Sequence, residues 1–259
     1  GRAKAAYAAG CDVLLVCNRP DLAAELLDRW APVPDADNLA RLAAIVPTAA
    51  QPAWLADPFA LELHPAYVQA RALKLKLTGE AELDAARVRA VRTRCPQAWI
   101  GVDANQGYRG DTLPLLLPVL VEAGIALLEQ PCARGREDEL DGIRRVLPVA
   151  ADESILDLAE LEQRHHRFDV INIKLDKCGG LTEGLLMARR ARELGKRVMV
   201  GNMCGTSLAA APAFVLGQFC DVVDLDGPVF LKQDRTPSVR YEDGCISCGD
   251  EVWGPGAAP

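Results

Sequence analysis

Short apolar runs recur along the chain at nearly even distances, each followed by a longer amphipathic or alanine-rich stretch. The runs rich in Val, Ile and Leu predict buried strands over Asp12–Cys17, Leu73–Leu77, Trp99–Asp103, Ala126–Glu129, Val149–Asp152, Val170–Lys174, Val198–Gly201 and Val222–Asp226. Helical patterns fall between them, over Ala81–Arg94, Asp138–Val146, Asp157–His165, Glu183–Leu194 and Leu208–Phe219. Strands alternating with helices imply a parallel sheet with right-handed crossovers. Polar residues close the strands at Lys76, Asp103, Glu129, Asp152, Lys174, Asn202 and Asp224, at spacings of 27, 26, 23, 22, 28 and 22 residues. Eight such units close a (β/α)8 barrel of about 250 residues. Seven regular units run from residue 73 onward, and the eighth candidate, Asp12–Cys17, sits far upstream. The predicted fold class is therefore α/β, a (β/α)8-type, TIM-like barrel.

The first seventy residues read differently. A strand-and-helix unit occupies 1–50, with helix start signals at Pro20 and Asp21, and a Pro- and Ala-rich join occupies 51–70. The barrel spans 71–240, and 241–259 forms a tail. Gly1 in the place of a methionine suggests a fragment or a processed product.

Composition narrows the classes. The chain has 259 residues, half of them hydrophobic, which excludes disorder, and its net charge of −7 disfavours a nucleic-acid binder. The most apolar run, Leu113–Leu128, is broken by Pro114, Pro118 and Glu122, so no membrane span is expected, and no signal-peptide pattern opens the chain. Nine scattered cysteines suit a reducing cytoplasm. Cys245 and Cys248 form one CxxC without the second pair that a structural zinc site uses.

Candidate chemistry gathers at the strand ends, where parallel barrels carry their catalytic groups. In LKLKL, Lys74 and Lys76 share one face. On an edge strand they would face water; in a barrel strand covered by helices they face the mouth and need acidic partners. Asp103, Glu129 and Asp152 end the next three strands. Taken singly each suits a helix cap; together they suit Mg²⁺, a cation that prefers hard oxygen ligands. Lys174 ends the following strand, either as a salt-bridge partner of Asp169 or Asp176, or as a second base opposite Lys76. Two lysines flanking a metal suggest proton removal from a carbon α to a carboxylate and its return from the other face. Asp224 and Asp226 share a face of the last strand and suit a substrate ammonium group, or else terminate the strand in a turn.

The stretches LKLKL (73–77), VDANQGY (102–108), LLEQP (127–131), ADES (151–154), INIKLDKCGG (171–180), VGNMCGTSLAAAPA (200–213) and DLDGP (224–228) together resemble the enolase superfamily, and within it the dipeptide epimerases. The resemblance covers residues 65–240. It implies Lys76 and Lys174 as the acid/base pair and Asp103, Glu129 and Asp152 as Mg²⁺ ligands. It implies Lys74 and Asn202 in the substrate site, with Asp224 and Asp226 on the amino group of the dipeptide. The implied activity is Mg²⁺-dependent epimerisation of dipeptides, L-Ala-D/L-Glu foremost, on peptides from cell-wall recycling. The implied partner is a small dipeptide, with no nucleic acid or membrane and with homo-oligomers allowed. Alternatives are N-acyl amino acid racemisation, cycloisomerisation, or a weakened remnant. The chain departs from that family in lacking its α+β capping domain and first barrel strand, and in carrying Asn202 where a small residue is expected. Residues 1–45 resemble the end of a bacterial family 3 β-N-acetylhexosaminidase, whose strand Asp12–Cys17 would fill the vacant first barrel position.

Overall fold

The computed structural model describes residues 72–242 and 244–253. The strand at Asp12–Cys17, the helix after it and the 51–70 join lie outside these residues. Among the described residues seven strands form one curled parallel sheet, in chain order throughout. They are β1 (Ala72–Lys76), β2 (Trp99–Asp103), β3 (Leu127–Glu129), β4 (Val149–Ala151), β5 (Val170–Lys174), β6 (Arg197–Gly201) and β7 (Val222–Asp224). The helices are α1 (Ala81–Arg94), α2 (Leu113–Glu122), α3 (Leu158–Arg164), the single turn α4 (Leu175–Cys178), α5 (Leu181–Glu193) and α6 (Ser207–Gly217).

Two apolar layers follow from the strand period of two. One face of the sheet packs against the helices in a large core that includes Ile100, Val102, Leu128, Ile171, Ile173, Val198 and Val200. The inner face carries a small plug: Leu127, Ala150, Val170 and Met199, with Trp99 and Val222 at its margins. Each plug residue fixes the direction of the residues two and four positions later on its strand. Asp103 lies four beyond Trp99, Glu129 two beyond Leu127, Asp152 two beyond Ala150, Lys174 four beyond Val170, and Asp224 two beyond Val222. The same alternation that seats the plug therefore aims these side chains inward, above it.

Most predicted elements are present with small changes of boundary. Two differ. The expected helix over Asp138–Val146 is a short 3-10 turn, Glu137–Leu140, followed by irregular chain. Gly142 interrupts the stretch and Pro148 follows it closely, and helix formation there would lose about 1 kcal/mol at the glycine alone. The proline-broken apolar run instead holds α2, with Pro114 in its first turn, where an unpaired N–H would be missing anyway, and Pro118 inside it. No described helix is long and apolar enough to cross a membrane. From 240 onward the chain forms an antiparallel pair, β8 (Arg240–Glu242) and β9 (Cys245–Ser247). A 3-10 turn at Asp250–Trp253 follows, and Val239 and Val252 pack on Ala210 and Ala211 of α6.

The loops that carry the β1 and β2 ends are fastened by one buried carboxylate. Asp84, in the first turn of α1, accepts from the backbone N–H groups of Thr78 (3.0 Å) and Gly79 (3.1 Å), from Thr78 Oγ1 (3.0 Å) and from the Tyr108 hydroxyl (2.6 Å). Gly79, at φ +88°, and Gly107 touch so closely that a Cβ on Gly79 would stand 2.6 Å from the Gly107 carbonyl oxygen. An Asp84→Ala variant leaves the buried Tyr108 hydroxyl without its acceptor, at about 1–3 kcal/mol, and frees three part-buried donors of Thr78 and Gly79 that water can partly serve. We expect a loss of about 2–3 kcal/mol and a fall in Tm of roughly 4–12 °C, read by thermal unfolding.

Candidate active site

The curled sheet brings the inward residues of β1 to β7 together at the C-terminal ends of the strands. β1 and β2 are in register there, Lys76 beside Asp103, and Asp103 stands beside Glu129 in the next pair. The three carboxylates Asp103, Glu129 and Asp152 are essentially without solvent contact, at 0, 0 and 1% exposure. Charges so deeply placed need partners. Lys76 pairs with Asp103. Lys74 lies 3.2 Å from Glu129 Oε2, 3.8 Å from Asp103 and in a short contact with Asp224. Asn172 Nδ2 donates to Glu129 Oε1 at 2.7 Å. Asp152 accepts from Lys174 Nζ at 2.7 Å and from Lys177 Nζ at 2.8 Å.

These contacts decide between the readings of each residue. Lys74 and Lys76 face acidic partners inside the curl, not water on an outer face. Lys174 pairs with neither Asp169 nor Asp176: Asp169 holds Arg145 and the Val149 N–H, and Asp176 accepts from the Met203 N–H. Lys76 and Lys174 stand on β1 and β5, with the three carboxylate-bearing strand ends between them. Strand β7 ends at Asp224 rather than Asp226, because Asp226 precedes a 3-10 turn at Gly227–Phe230. Both aspartates nevertheless line one groove with Lys74, Lys76, Lys174 and Asn202. The Asn202 side-chain oxygen accepts from the Gly227 N–H at 3.3 Å and ties the end of β6 to this turn.

Four contributors escape a reading of strand ends alone. Asn172 lies between Val170 and Lys174 on the inward face, and the period of two points to it. Lys177 lies one helical turn after Lys174, on α4, which returns it to the same side. Glu153 is buried, and its Oε2, like the Asn172 Oδ1, has no hydrogen-bond partner. Gln130 is buried in a left-handed conformation, φ 38°. Its Oε1 accepts from the Asp152 and Ser154 N–H groups at 2.9 and 3.1 Å, and its Nε2 donates to Ser154 Oγ and the Cys132 carbonyl at 2.7 and 2.8 Å. It clamps the end of β3 to the end of β4.

Electrostatics follow from burial and neighbours. Burial pushes the Glu129 carboxyl up to about 7, against the pull of Lys74 and with added repulsion from Asp103 and Asp152. Burial acts the same way on Asp152, but Lys174 and Lys177 outweigh it and hold the group below its usual range. Burial lowers Lys174, yet Asp152 more than offsets this and leaves its ammonium harder to deprotonate. At Asp226, desolvation at the groove wall and then repulsion from Asp224 raise the carboxyl.

Among the described residues no three acid, histidine or cysteine side chains are drawn into a metal cage; lysines hold the carboxylates instead. The donor chemistry still fits a hard cation. Six acids (Asp103, Glu129, Asp152, Glu153, Asp224 and Asp226) meet four lysines (74, 76, 174 and 177), a formal surplus of two negative charges. The unpartnered oxygens of Glu153 and Asn172 add neutral and anionic donors beside the same strand ends. Oxygen donors and a surplus of that size suit a hard divalent cation.

Comparison with known proteins agrees with the fold. The family model "Enolase C-terminal domain-like" matches residues 58–257. The L-Ala-D/L-Glu epimerase of Escherichia coli K12 is 38% identical over 176 residues, 68% of this chain and 55% of that protein. An N-acetyl-D-glutamate racemase of a Pseudoalteromonas species is 37% identical over 162 residues, 62% of this chain and 51% of that protein. The chain thus spans about half the length of these curated relatives. An Agrobacterium tumefaciens enolase family member with homology to dipeptide epimerases, solved with sodium and L-Ala-L-Glu, superposes with TM-score 0.69 at 38% identity, over 76% of this chain and 61% of that one. A dipeptide epimerase from Methylococcus capsulatus solved with Mg superposes with TM-score 0.64 at 33% identity, over 75% of this chain and 57% of that one. A beta-hexosaminidase of Aromatoleum aromaticum is 61% identical over 70 residues, 27% of this chain and 18% of that protein, in line with the resemblance of the first 45 residues.

Lys177 gives a direct test of the charge balance. With Lys177→Met, Asp152 keeps Lys174, and with both lysines replaced it loses both of its ammonium partners. Removing one partner of a buried pair costs about 3–5 kcal/mol when nothing replaces it. We expect Lys177→Met to lose less than that in denaturant unfolding at pH 7. Lys174→Met added to it should cost more than the sum of the two single changes.

Proposed function

The chain belongs to the enolase C-terminal domain-like family, and we propose that its barrel mouth epimerises dipeptides, L-Ala-D/L-Glu foremost, by moving a proton at the carbon α to a carboxylate. The observation that carries this reading is the placement of Lys76 and Lys174 on opposite sides of three buried carboxylates. Similarity to dipeptide epimerases supports it.

In this reading Asp103, Glu129 and Asp152 would hold Mg²⁺, which when bound stabilises the enediolate by withdrawing electron density. The residues of the chain perform the remaining tasks. The lysine that arrives neutral removes the α-proton, and the lysine on the other face, arriving as an ammonium, donates one to the opposite side of the carbon. Exchanging these protonation states runs the reaction backward, so one site serves both epimers. Lys174 must leave Asp152 before it can act as the base, because their pairing favours the ammonium form. Lys74 balances Asp103 and Glu129 and stands where a substrate carboxylate would approach. Asp226, on the groove wall beside Asp224, would receive the amino group of the dipeptide. The site works on a free small molecule, in a reducing cytoplasm.

Lys76 is 60% exposed and the groove is open. Catalysis that needs water excluded is slowed in such a setting. The rate is therefore expected to be low or the specificity broad. A second reading, racemisation of N-acyl amino acids, draws on the N-acetyl-D-glutamate racemase relative and on Asp224, whose carboxylate already holds Lys74.

The test is incubation with L-Ala-D-Glu and Mg²⁺ in D₂O, following loss of the glutamate α-proton by NMR. Exchange should fall at least about 100-fold in Lys76→Ala and in Lys174→Ala. Absence of exchange in the unaltered protein, with Mg²⁺-dependent stability retained, would reject the activity while leaving the metal reading standing. Mg²⁺ at 100 times its Kd should add about 2.7 kcal/mol of stability, and an inert remnant should show no such gain. Asp226→Asn separates the two substrates: turnover of the dipeptide should fall at least about tenfold, a loss of one charged hydrogen bond, while N-acetylglutamate turnover holds.

A further inference from the structure

Asp152 spends both of its carboxylate oxygens on lysines. Oδ2 accepts from Lys174 at 2.7 Å and Oδ1 from Lys177 at 2.8 Å, and all three side chains are largely covered. A cation that binds Asp152 therefore meets two ammonium groups seated on the oxygens it needs. A dication beside both of them would crowd four positive charges round one carboxylate, where like charges at such range repel strongly. One ammonium has to leave. Lys174 stands on β5 across the mouth from Lys76, in the position that the proposed proton transfer uses. Lys177 sits one turn later, on α4, and has no part in that transfer. The residue after Asp152 offers it a second seat. Glu153 is 5% exposed, and among the described residues its Oε2 has no hydrogen-bond partner. A buried carboxylate in that condition is costly until a cation reaches it. Its main chain is anchored, since its carbonyl accepts from Arg134 Nη1 at 2.6 Å. Burial and then the charge of Asp152 raise the Glu153 carboxyl, and Lys177 is the cation that draws it back, so the two side chains already feel each other. Asn172 Oδ1 is also without a partner, but it is neutral, and its amide is committed to Glu129.

We propose that Glu153 receives the Lys177 ammonium when a divalent cation takes Asp152, so that every buried charge at the strand ends stays paired through the exchange. Glu153 is then a positioning residue that acts through Lys177 and does not touch the ion. The exchange has a driving force of its own: the ion gains an oxygen of Asp152, and the unpartnered Oε2 of Glu153 gains a counter-charge. The two carboxylates belong to consecutive residues, so a lysine turns from one to the other by rotating its flexible four-carbon stem, with no change in the backbone. Loss of the Glu153 charge strands Lys177 on Asp152 and weakens the ion at a distance. The inference rests on the cation-binding part of the proposed function and not on the turnover of any substrate.

Calorimetric titration of the full chain with Mg²⁺ alone is the test. Glu153→Gln should weaken Mg²⁺ affinity about tenfold, the worth of one charge-assisted hydrogen bond. Lys177→Met removes the ammonium that has to move, and it should bind Mg²⁺ at least as tightly as the unaltered chain. Adding Lys177→Met to Glu153→Gln should rescue binding to within about threefold of Lys177→Met alone, because the two residues act as one unit. Lys177→Gln repeats the rescue with a neutral side chain that can still bond to Asp152. A loss that persists in both double variants makes Glu153 a ligand of the ion and overturns the proposal. Unchanged affinity in Glu153→Gln overturns it as well. Unfolding without Mg²⁺ supplies an independent readout: Glu153→Gln should be no less stable than the unaltered chain, since it removes an unpaired buried charge, and a clear fall would show that Glu153 is already partnered and overturn the exchange. Absence of Mg²⁺ binding in the unaltered chain is a separate outcome, which removes the cation-binding reading itself and this inference with it.

Discussion

A carboxylate sealed inside a curled sheet must be neutralised where it stands, and much of this mouth follows from that constraint. Asp103, Glu129 and Asp152 have almost no water to solvate them. Each is met by an ammonium group: Lys76 and Lys74 from β1, and Lys174 with Lys177 from β5 and the turn after it. The carboxylates stand at the ends of β2, β3 and β4, and the lysines arrive from β1 and β5 on either side. A geometry set by charge balance thereby becomes a geometry suited to chemistry, with a cation on each flank of an acidic centre. Glu129 is in the middle, and burial raises its carboxyl toward neutrality, to about 7.

The framework that holds this arrangement is built from neutral or structural groups. Gln130 uses all of its side-chain hydrogen-bonding capacity to join the ends of β3 and β4, so Glu129 and Asp152 cannot drift apart without breaking several buried bonds. Asp84 does the same for the loops after β1 and β2. Gly201 serves by having no side chain: a Cβ there would stand 2.9 Å from Lys174 Cε and 3.1 Å from the Asn172 side chain. None of these residues carries charge into the groove, but the positions of those that do depend on them.

Much of this was legible in the sequence for a simple reason. A strand repeats every two residues, so a polar residue at the end of an apolar run in a covered sheet has one place to go. The even spacing of Lys76, Asp103, Glu129, Asp152 and Lys174 therefore points to one rim. What escaped was set by tertiary contact. Lys177 joins the site through a four-residue helical turn too short to leave a periodic trace. Gln130 acts through a left-handed backbone turn that a sequence pattern does not reveal. The expected ammonium site at Asp224 is engaged by Lys74, because the curl of the sheet brings β1 and β7 close at the mouth. The absent helix after Glu137 had the right apolar residues, and Leu140, Ile143 and Leu147 do enter or line the core, but glycine and proline let them do so as irregular chain.

The edge of the described sheet bears directly on the charge balance at the mouth. A mouth built by neighbouring strands is sensitive to the spacing of every pair, and β1, which carries both Lys74 and Lys76, is an edge strand among the described residues. Its outer backbone groups have no partner in that sheet, and edge strands of this kind are prone to slip or to pair with other chains. A one-residue slip of β1 would turn both lysines outward and leave Asp103 and Glu129 without their main counter-charges. Lys76 is the ion-pair partner of Asp103, and Lys74 contacts Asp103, Glu129 and Asp224 at once. The charge balance at the mouth and the register of β1 are therefore a single requirement: whatever holds this strand in place also keeps the carboxylates of β2 and β3 neutralised.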